Sequence, residues 1–363
     1  MKEKKRIYIS DVHMNAGRGI NPQGGKHPYE WLGEEEANRF AKFLKYINNP
    51  SEIKEIILLG DLMDNWVYPV DEVPPTFQDI IDADINKNIV RELTALSQNE
   101  DMSILYFPGN HDMGLTKEDI ERNFPGMIFG GKAAHDSAYR TSRLHAEHGS
   151  AYAMFNAPDA FNSPGSRLPL GYFISRIVAT RECATGISDR HYWTYADDIL
   201  EILGPQKLGA SVFEAILEEA GLPESTIIKM PSKGGKEITI VASEVKEKYA
   251  CLYDQWQSHY GPGVAYKAIM AEIGYLGDIA DNLCKKGDTT VVIFGHSHDW
   301  ELDKDKWFVA DRIYANCGTW CDDKRPCTYV ETEKDKDNKM HIVRVVEWKD
   351  NKAILLKEES VAL

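Results

Sequence analysis

Five polar clusters, each directly after a predicted strand, constrain the fold of this sequence more than any other feature. The strands are predicted at residues 6–10, 55–59, 103–107, 143–146 and 289–294. The clusters that follow them are Asp11 and His13; Gly60, Asp61 and Asp64; Gly109, Asn110, His111 and Asp112; His148 and Gly149; and Gly295, His296 and His298. Segments with helical periodicity lie between the first strands, for example at residues 34–48. Because α/β sheets place ligand sites beyond the carboxyl ends of their strands, the pattern predicts an α/β fold with its chemistry at one sheet edge.

The predicted secondary structure changes between residues 151 and 286. Strand patterns become rare there, and helices are predicted near residues 192–203, 211–220, 245–259 and 265–285. Strand patterns return at residues 312–315 and near 327–333, 341–347 and 353–357. We therefore predict one domain made of residues 1–150 and 287–363, with 151–286 inserted as a helical cap. The C-terminal runs are expected to form a second, largely antiparallel sheet that faces the first.

Charge and composition limit the partners of the chain. Lys and Arg total 42 against 57 Asp and Glu, a net charge of −15, which repels polyanions and disfavours nucleic acid. The sequence shows no secretory signal pattern and no apolar stretch near the ~18 residues of a membrane span, so we predict a cytoplasmic protein whose membrane contact, if any, is peripheral. The six cysteines lack a paired spacing and are expected to be free thiols. The oligomeric state stays open.

The residue types in the clusters favour a metal site. Imidazole nitrogens with carboxylate and amide oxygens suit manganese, iron, zinc or cobalt, and no cysteine falls within the clusters. Residues two apart in a strand point the same way, so the pair Asp11 and His13 and the pair His296 and His298 are each expected to aim into one site. Two metals about 3.5–4 Å apart need a carboxylate between them. Asp61 is the natural candidate for that bridge.

The ordered motifs DxH, GDxxD, GNHD, HG and GHSH resemble those of the calcineurin-like metallophosphoesterase superfamily. The likeness covers about residues 6–149 and 289–320. It implies a four-layer αββα sandwich that holds two divalent metal ions, Mn, Fe or Zn. It also implies the ligands: Asp11, His13 and His298 for one ion; Asn110, His148 and His296 for the other; and Asp61 as the bridge.

The resemblance assigns further roles around these ligands. His111 would act as general acid or transition-state stabiliser, oriented by Asp64, while the metals activate water for in-line attack on phosphorus. Asp112 would support this group, and Asn316 would support the metal site from the loop of residues 316–320.

Two segments are candidates for substrate contact. The Gly-rich loop of residues 14–31 offers Asn15 and Arg18 as possible ligands of a phosphate or another substrate group. The apolar stretch of residues 168–178 reads as a lid, an acyl-chain groove or core, and core is the default interpretation of such a stripe.

The substrate class is narrowed by departures from known branches. Asn65 and Trp66 follow GDxxD, where the Ser/Thr protein phosphatases of the superfamily carry Arg and Gly, which argues against a protein phosphatase. The local context is more similar to the UDP-2,3-diacylglucosamine hydrolase branch. We expect hydrolysis of a phosphodiester, phosphomonoester or pyrophosphate bond in a phosphorylated small molecule, a nucleotide or a lipid-linked substrate. The alternatives are a DNA or RNA nuclease of the same superfamily and a non-catalytic metal-binding scaffold.

Overall fold

Two β-sheets form the centre of the molecule. The computed structural model describes residues 3–18, 29–131, 137–162, 167–186, 208–233, 236–272, 274–304, 311–322 and 324–363. The larger sheet has the strand order β14-β13-β12-β1-β2-β3-β4. Its strands are β1 (Lys5–Ile9), β2 (Ile53–Leu59), β3 (Ser103–Phe107), β4 (Ile128–Phe129), β12 (Thr328–Lys334), β13 (Met340–Lys349) and β14 (Lys352–Ala362). Strands β1 to β4 run parallel, and β12 to β14 extend the sheet in antiparallel pairs.

The smaller sheet has the order β10-β11-β9-β6-β5. It consists of β5 (Tyr139–Thr141), β6 (Leu144–Ala146), β9 (Val291–Phe294), β10 (Trp300–Asp303) and β11 (Ile313–Cys317). The three inner strands are parallel, and β5 and β10 close the two edges in antiparallel pairs.

The predicted place of the C-terminal strands was wrong. They do not form the second sheet but extend the first, since β12 pairs antiparallel with β1 and sets Tyr8 opposite Val330. Alternation of apolar and polar residues identifies a strand but not its neighbour, because pairing depends on which sheet edge is open. The β2 strand covers one side of β1, and β12 takes the other.

The fold has four layers because alternate side chains of each strand point to opposite faces of its sheet. Ile57 and Leu59 of β2 face the apolar core between the sheets, which they share with Ile293 of β9. Ile56 and Leu58 point to the opposite side, as the two-residue period of a strand requires. There they pack with helices of the outer layer, which are α1 (Glu34–Ile47), α2 (Phe77–Asp82), α3 (Lys87–Ser97) and α4 (Lys117–Asn123).

The smaller sheet is covered in the same way. On its outer face, Val292 and Phe294 of β9 pack with Leu276 of the last helix, α10 (Leu276–Lys285). Helix, sheet, sheet and helix therefore follow one another, which confirms the αββα sandwich that the resemblance implies.

The middle of the chain is mainly helical, and its apolar core also includes Tyr29, Trp66 and Tyr68 from the first part of the chain. It comprises α5 (Leu170–Thr185), α6 (Leu208–Glu219), β7 (Ile227–Lys233), β8 (Lys236–Val241), α7 (Ala242–Tyr249), α8 (Leu252–Tyr260) and α9 (Pro262–Glu272). The β7–β8 hairpin was not anticipated, and the helix predicted at residues 192–203 lies outside the described residues. Phe173 and Ile177 of α5 are fully buried with Phe213, so most of the apolar stretch at residues 168–178 is core. None of the helices in the described part of the chain has the length and apolar character of a bilayer-spanning segment.

Candidate metal centre

The five polar clusters converge where strands of both sheets end. Short backbone hydrogen bonds join the loops: the N–H groups of Val12 and His13 both donate to the carbonyl of Asp61 at 2.9 Å. Across the two strands of the smaller sheet, the Gly295 N–H donates to the carbonyl of His148 at 2.9 Å. The loops are therefore held together by their main chains before any side chain is considered.

The backbone of these loops is left-handed at five of the predicted ligands, with φ of 56° at Asp11, 54° at His13, 51° at Asp61, 70° at His296 and 60° at His298. Such a conformation costs a non-glycine residue of order 1–3 kcal/mol and is found mainly at functional sites. We predicted that the pleat of a strand would aim both side chains of each pair into the site. That explanation was wrong, because β1 and β9 end before these residues begin. Turns in the loops, and not the pleat, aim the side chains inward.

Asp11, His13 and His298 form one donor group. The Nε2 atoms of His13 and His298 are 3.1 Å apart, and Asp11 Oδ1 lies 3.3 Å from His298 Nε2 and 3.9 Å from His13 Nε2. Nitrogen ligands about 2.0–2.1 Å from a tetrahedral ion are separated by similar distances. These three side chains can therefore share one ion.

Asn110, His148 and His296 form the second group. His148 Nε2 lies 3.0 Å from Asn110 Oδ1, and ligand atoms of His148, His296 and Asp61 lie within 4.8 Å of one another. Asp61 Oδ2 is 3.1 Å from His148 Nε2 and 3.9 Å from His13 Nε2. Asp61 thus stands between the two groups, where a bridging carboxylate would be required.

The glycine of the GNHD motif permits this approach. A Cβ atom on Gly109 would lie 2.2 Å from Asp61 Oδ1, so any larger residue would displace the carboxylate. The His111 N–H donates to the same oxygen at 2.9 Å, which turns the other oxygen, Oδ2, toward the histidines.

The donor set fits divalent metal ions in three respects. Asp11 Oδ1 is buried and accepts no hydrogen bond from the described residues, although His298 Nε2 is 3.3 Å away, an arrangement that suits two ligands of one ion. His148 Nδ1 donates to the Leu59 carbonyl at 2.8 Å and His13 Nδ1 contacts Asp64 at 2.9 Å, which leaves both Nε2 atoms facing the site, as is usual for metal-binding histidines.

The third respect is charge. Burial disfavours the charged form of His148, yet the carboxylates of Asp61 and Asp11 outweigh it and raise the pKa of His148 to about 10. The two carboxylates therefore favour a positive charge at this position, which a metal ion would supply.

His111 and Asp64 lie beside the donor groups. Asp64 Oδ2 contacts His111 Nδ1 at 3.0 Å and His13 Nδ1 at 2.9 Å, and Trp66 stacks on the His111 ring with centroids 4.6 Å apart. Burial opposes the charged imidazolium of His111, but Asp64 and then Asp61 raise its pKa above the ordinary value. The structure thus brings the predicted acid and its orienting carboxylate together.

Asp112 and Asn316 hold the ligand loops in place through hydrogen bonds to their backbone. Asp112 accepts hydrogen bonds from the N–H groups of Leu62 at 2.9 Å and Gly109 at 2.7 Å, which ties two ligand loops to each other. Asn316 Nδ2 donates to the Gly295 carbonyl at 2.7 Å, directly before His296. Both residues support the ligands from behind.

The two predicted substrate contacts have other partners. Asn15 is buried, its Nδ2 donates to the Leu32 carbonyl at 2.8 Å and its Oδ1 accepts from Gly17 N–H at 3.0 Å, so we assign it to the structure of its loop. Arg18 is exposed and donates to the Val73 carbonyl at 2.7 Å. Its contact with a substrate stays a prediction.

Sequence reasoning missed three neighbours of the site. Trp31 packs against His13, with ring centroids 4.6 Å apart, and Cys321 Sγ lies within 4.8 Å of the ring nitrogens of His13 and His298. No cysteine falls within the five sequence clusters, so they do not identify this thiol. The sequence signal that could have identified it is its position in the loop after Asn316. Asn156, which contacts Asn110, lies in the middle region and carries no motif.

Comparison with known proteins gives a family and distant structural similarities. A sequence model of calcineurin-like phosphoesterases matches residues 5–300. No curated protein sequence matches the chain. Among solved structures, vacuolar protein sorting 29 from Cryptosporidium parvum is 10% identical with a TM-score of 0.36, and 100% of each chain is covered.

Two further structures are similar to the same degree. GAP50, described as the anchor in the inner membrane complex of Plasmodium, is 10% identical over 100% of this chain and 90% of its own, with a TM-score of 0.37. Vps29 of Entamoeba histolytica complexed with zinc is 9% identical over 99% and 98%, with a TM-score of 0.33. These scores mean weak overall superposition. The family match spans most of the chain and includes all five motifs, and the chain belongs to the calcineurin-like phosphoesterase family.

Proposed function

We propose that this protein hydrolyses a phosphoester or pyrophosphate bond at a two-metal centre. The observation that carries the proposal is the position of Asp61 between two groups of three donors. Its Oδ2 lies 3.1 Å from His148 Nε2 in one group and 3.9 Å from His13 Nε2 in the other. His111 stands next to this cluster with its own carboxylate partner. Members that only bind metal have no need of such an acid.

The proposed ion positions follow the two donor groups. Asp11, His13 and His298 would hold one ion, Asn110, His148 and His296 the other, and Asp61 would serve both. When bound, two such ions activate water and neutralise charge on phosphoryl oxygens. Manganese, iron and zinc all suit these donors, and Cys321 beside His13 and His298 adds a soft atom that favours zinc at that position.

His111 would protonate the leaving oxygen. Its Nδ1 faces Asp64, so Nε2 is the nitrogen available to a substrate. Asp64 and then Asp61 raise the pKa of His111 against the effect of burial, which favours the protonated ring that a general acid requires. Trp66 stacks on the ring and restricts its rotation, which preserves the direction of the proton.

We further propose that residues 151–286 act as the cap that selects the substrate, on a domain of residues 1–150 and 287–363. A cavity of about 290 Å³ supports a substrate with an apolar portion. Its lining includes Ala151 and Tyr152, close in sequence to His148, and Leu170 and Trp256 of the helices. Lipid-linked phosphates and nucleotides are the classes to test. The six cysteines, all free, are consistent with a cytoplasmic location.

The test is turnover of an aryl phosphodiester and of the matching monoester by apo protein reloaded with manganese or zinc. We expect metal-dependent hydrolysis of at least one substrate, and its loss in His296→Ala. Diester preference would point to diesters or pyrophosphates, and monoester preference to a phosphatase. Equal turnover by wild type and His296→Ala would contradict the proposal.

A further inference from the structure

A chain of hydrogen bonds runs from the middle region of the protein to Asn110. Asn110 Nδ2 donates to Asn156 Oδ1 at 3.2 Å, and Asn156 Nδ2 donates to Glu272 Oε2 at 2.7 Å. The other oxygen of Glu272 accepts from the Phe155 N–H. Glu272 is the last residue of α9, so a helix outside the five motifs contacts a candidate metal ligand through one intermediate residue.

The chemistry of these groups sets the direction of every amide in the chain. Above its raised pKa of about 8 the Glu272 carboxyl is ionised and can only accept hydrogen bonds, so the group of Asn156 that faces it must be its NH₂. The Asn156 oxygen then faces Asn110 and selects the NH₂ of that side chain. Asn110 Oδ1 is left on the side of His148, 3.0 Å from its Nε2, where a metal would need an oxygen.

Asn156 is also held in place by packing. The Gly171 N–H, in the first turn of α5, donates to the Phe155 carbonyl at 2.7 Å. A Cβ atom on Gly171 would lie 2.7 Å from Asn156 Oδ1, so α5 approaches the amide as closely as backbone allows. Two helices, α5 and α9, therefore fix the position of Asn156 from two directions.

We propose that Glu272 and Asn156 are positioning residues that turn the Asn110 amide oxygen toward the metal, so that α9 completes the second donor group. The inference depends on the metal-binding part of the proposed function, in which Asn110 is a ligand. It assigns the middle region a role at the metal centre in addition to substrate selection. Neither residue touches the reacting atoms.

The test uses substitutions that exchange donor and acceptor along the chain. Asn156→Asp places two carboxylates face to face, and Glu272→Gln presents a donor to the Asn156 NH₂ or to the Phe155 N–H. In the double variant the introduced amide can donate to the introduced carboxylate, which still accepts from Asn110. The hydrogen-bond chain would then be complete again, with the same shapes.

Calorimetric titration of apo protein with Mn²⁺ is the measurement. Burial raises the pKa of Glu272 to about 8, so the titration is made at pH 8.5 under argon, where its carboxylate is mainly ionised. We expect Glu272→Gln to weaken the second Mn²⁺ by about 10–100-fold, as loss of a group that orients a metal ligand typically does. Asn156→Asp should weaken it less, because a proton held between the new carboxylate and Glu272 completes the chain again. The double variant should recover most of the affinity. The first Mn²⁺, at the Asp11 group, should be unchanged in all three.

The exposed Glu247→Gln in α7 is the matched control and should bind both ions like wild type. Failure of the double variant to recover the affinity that Glu272→Gln loses would reduce Glu272 and Asn156 to ordinary packing and overturn the inference. Glu272→Gln that binds the second Mn²⁺ like wild type would overturn it as well. If wild type binds no second ion, the metal centre itself fails. Coupled binding without turnover of any phosphoester would contradict only the proposed function.

Discussion

The metal centre and the middle region of the chain are built by opposite means. At the centre, short loops hold strained backbone, with φ of 51° at Asp61 and 54° at His13, and bury carboxylates next to imidazoles. In the middle region, helices pack through apolar side chains such as Phe173, Ile177 and Phe213. The centre requires specific residues at specific positions, whereas the helical core of the middle region requires mainly volume and apolar character.

This difference separates the residues expected to set metal binding and rate from the residues expected to stabilise the fold. Buried carboxylates and left-handed residues destabilise the fold, so the centre depends on the surrounding sheets for its stability, and the proposed ions would add to it. Burial of apolar surface stabilises the middle region. Substitutions at the centre should therefore change metal binding and rate, and substitutions in the helical core should change the free energy of unfolding.

The largest effect is expected for Asp61→Asn. It removes the charge of the carboxylate that lies between the two donor groups, so we expect loss of one ion and a fall in turnover of about 10³-fold or more. Metal content after dialysis and initial rates measure it. Asp101→Asn, at an exposed position, is the control and should behave like wild type. Two tightly bound ions in the Asp61→Asn variant would break the contrast between the regions.

His111→Ala separates catalysis from metal binding. A ring nitrogen of His111 lies within 4.8 Å of ligand atoms of His13 and Asp61. In the proposed centre His111 belongs to neither donor group, so both ions should remain while the rate falls by about 10²–10⁴-fold, the usual contribution of a general acid. A substrate with a leaving group of low pKa needs no proton and should lose much less. A variant that loses metal together with activity would show that His111 is a ligand.

Phe213→Ala tests the middle region. Its side chain is fully buried, so truncation should lower the free energy of unfolding by about 3–5 kcal/mol, measured by urea denaturation. The folded fraction should still bind two Mn²⁺. Among the described residues, no hydrogen bond joins α6 to Asn156 or Glu272. Loss of metal binding in fully folded protein would mean that packing of the helices controls the centre.

Removal of the ions should have the smallest effect. Each ion that binds only folded protein stabilises it by about 1.4 kcal/mol at a free concentration of 10 times its Kd, so two ions contribute about 2.8 kcal/mol there. We expect chelation to lower the free energy of unfolding by about this amount in wild type and by much less in Asp61→Asn. An equal decrease in both would place the stabilising ion elsewhere.

The same contrast explains what could be predicted from the sequence. The seven donors and His111 were identifiable because the chemistry demands particular residue types directly after strands. The site of the C-terminal strands was not, since β12 could pair at either sheet and its own pattern does not name a partner. The β7–β8 hairpin was likewise hidden in a region of helical patterns.

Contacts that depend on tertiary packing were also beyond the sequence. Asn156 lies 46 positions from Asn110, and Glu272 lies 116 from Asn156. Nothing in the spacing of these residues marks them, because α5 and α9 bring them together only when the helices pack. Cys321 reaches His13 and His298 for the same reason, through the fold of the loop after β11.

Anomalous X-ray scattering from crystals loaded with Mn²⁺ tests the central claim most directly. The account predicts two manganese peaks, one bound by Asp11, His13 and His298 and the other by Asn110, His148 and His296, with Asp61 contacting both. A single peak, or two peaks that Asp61 does not join, would contradict it.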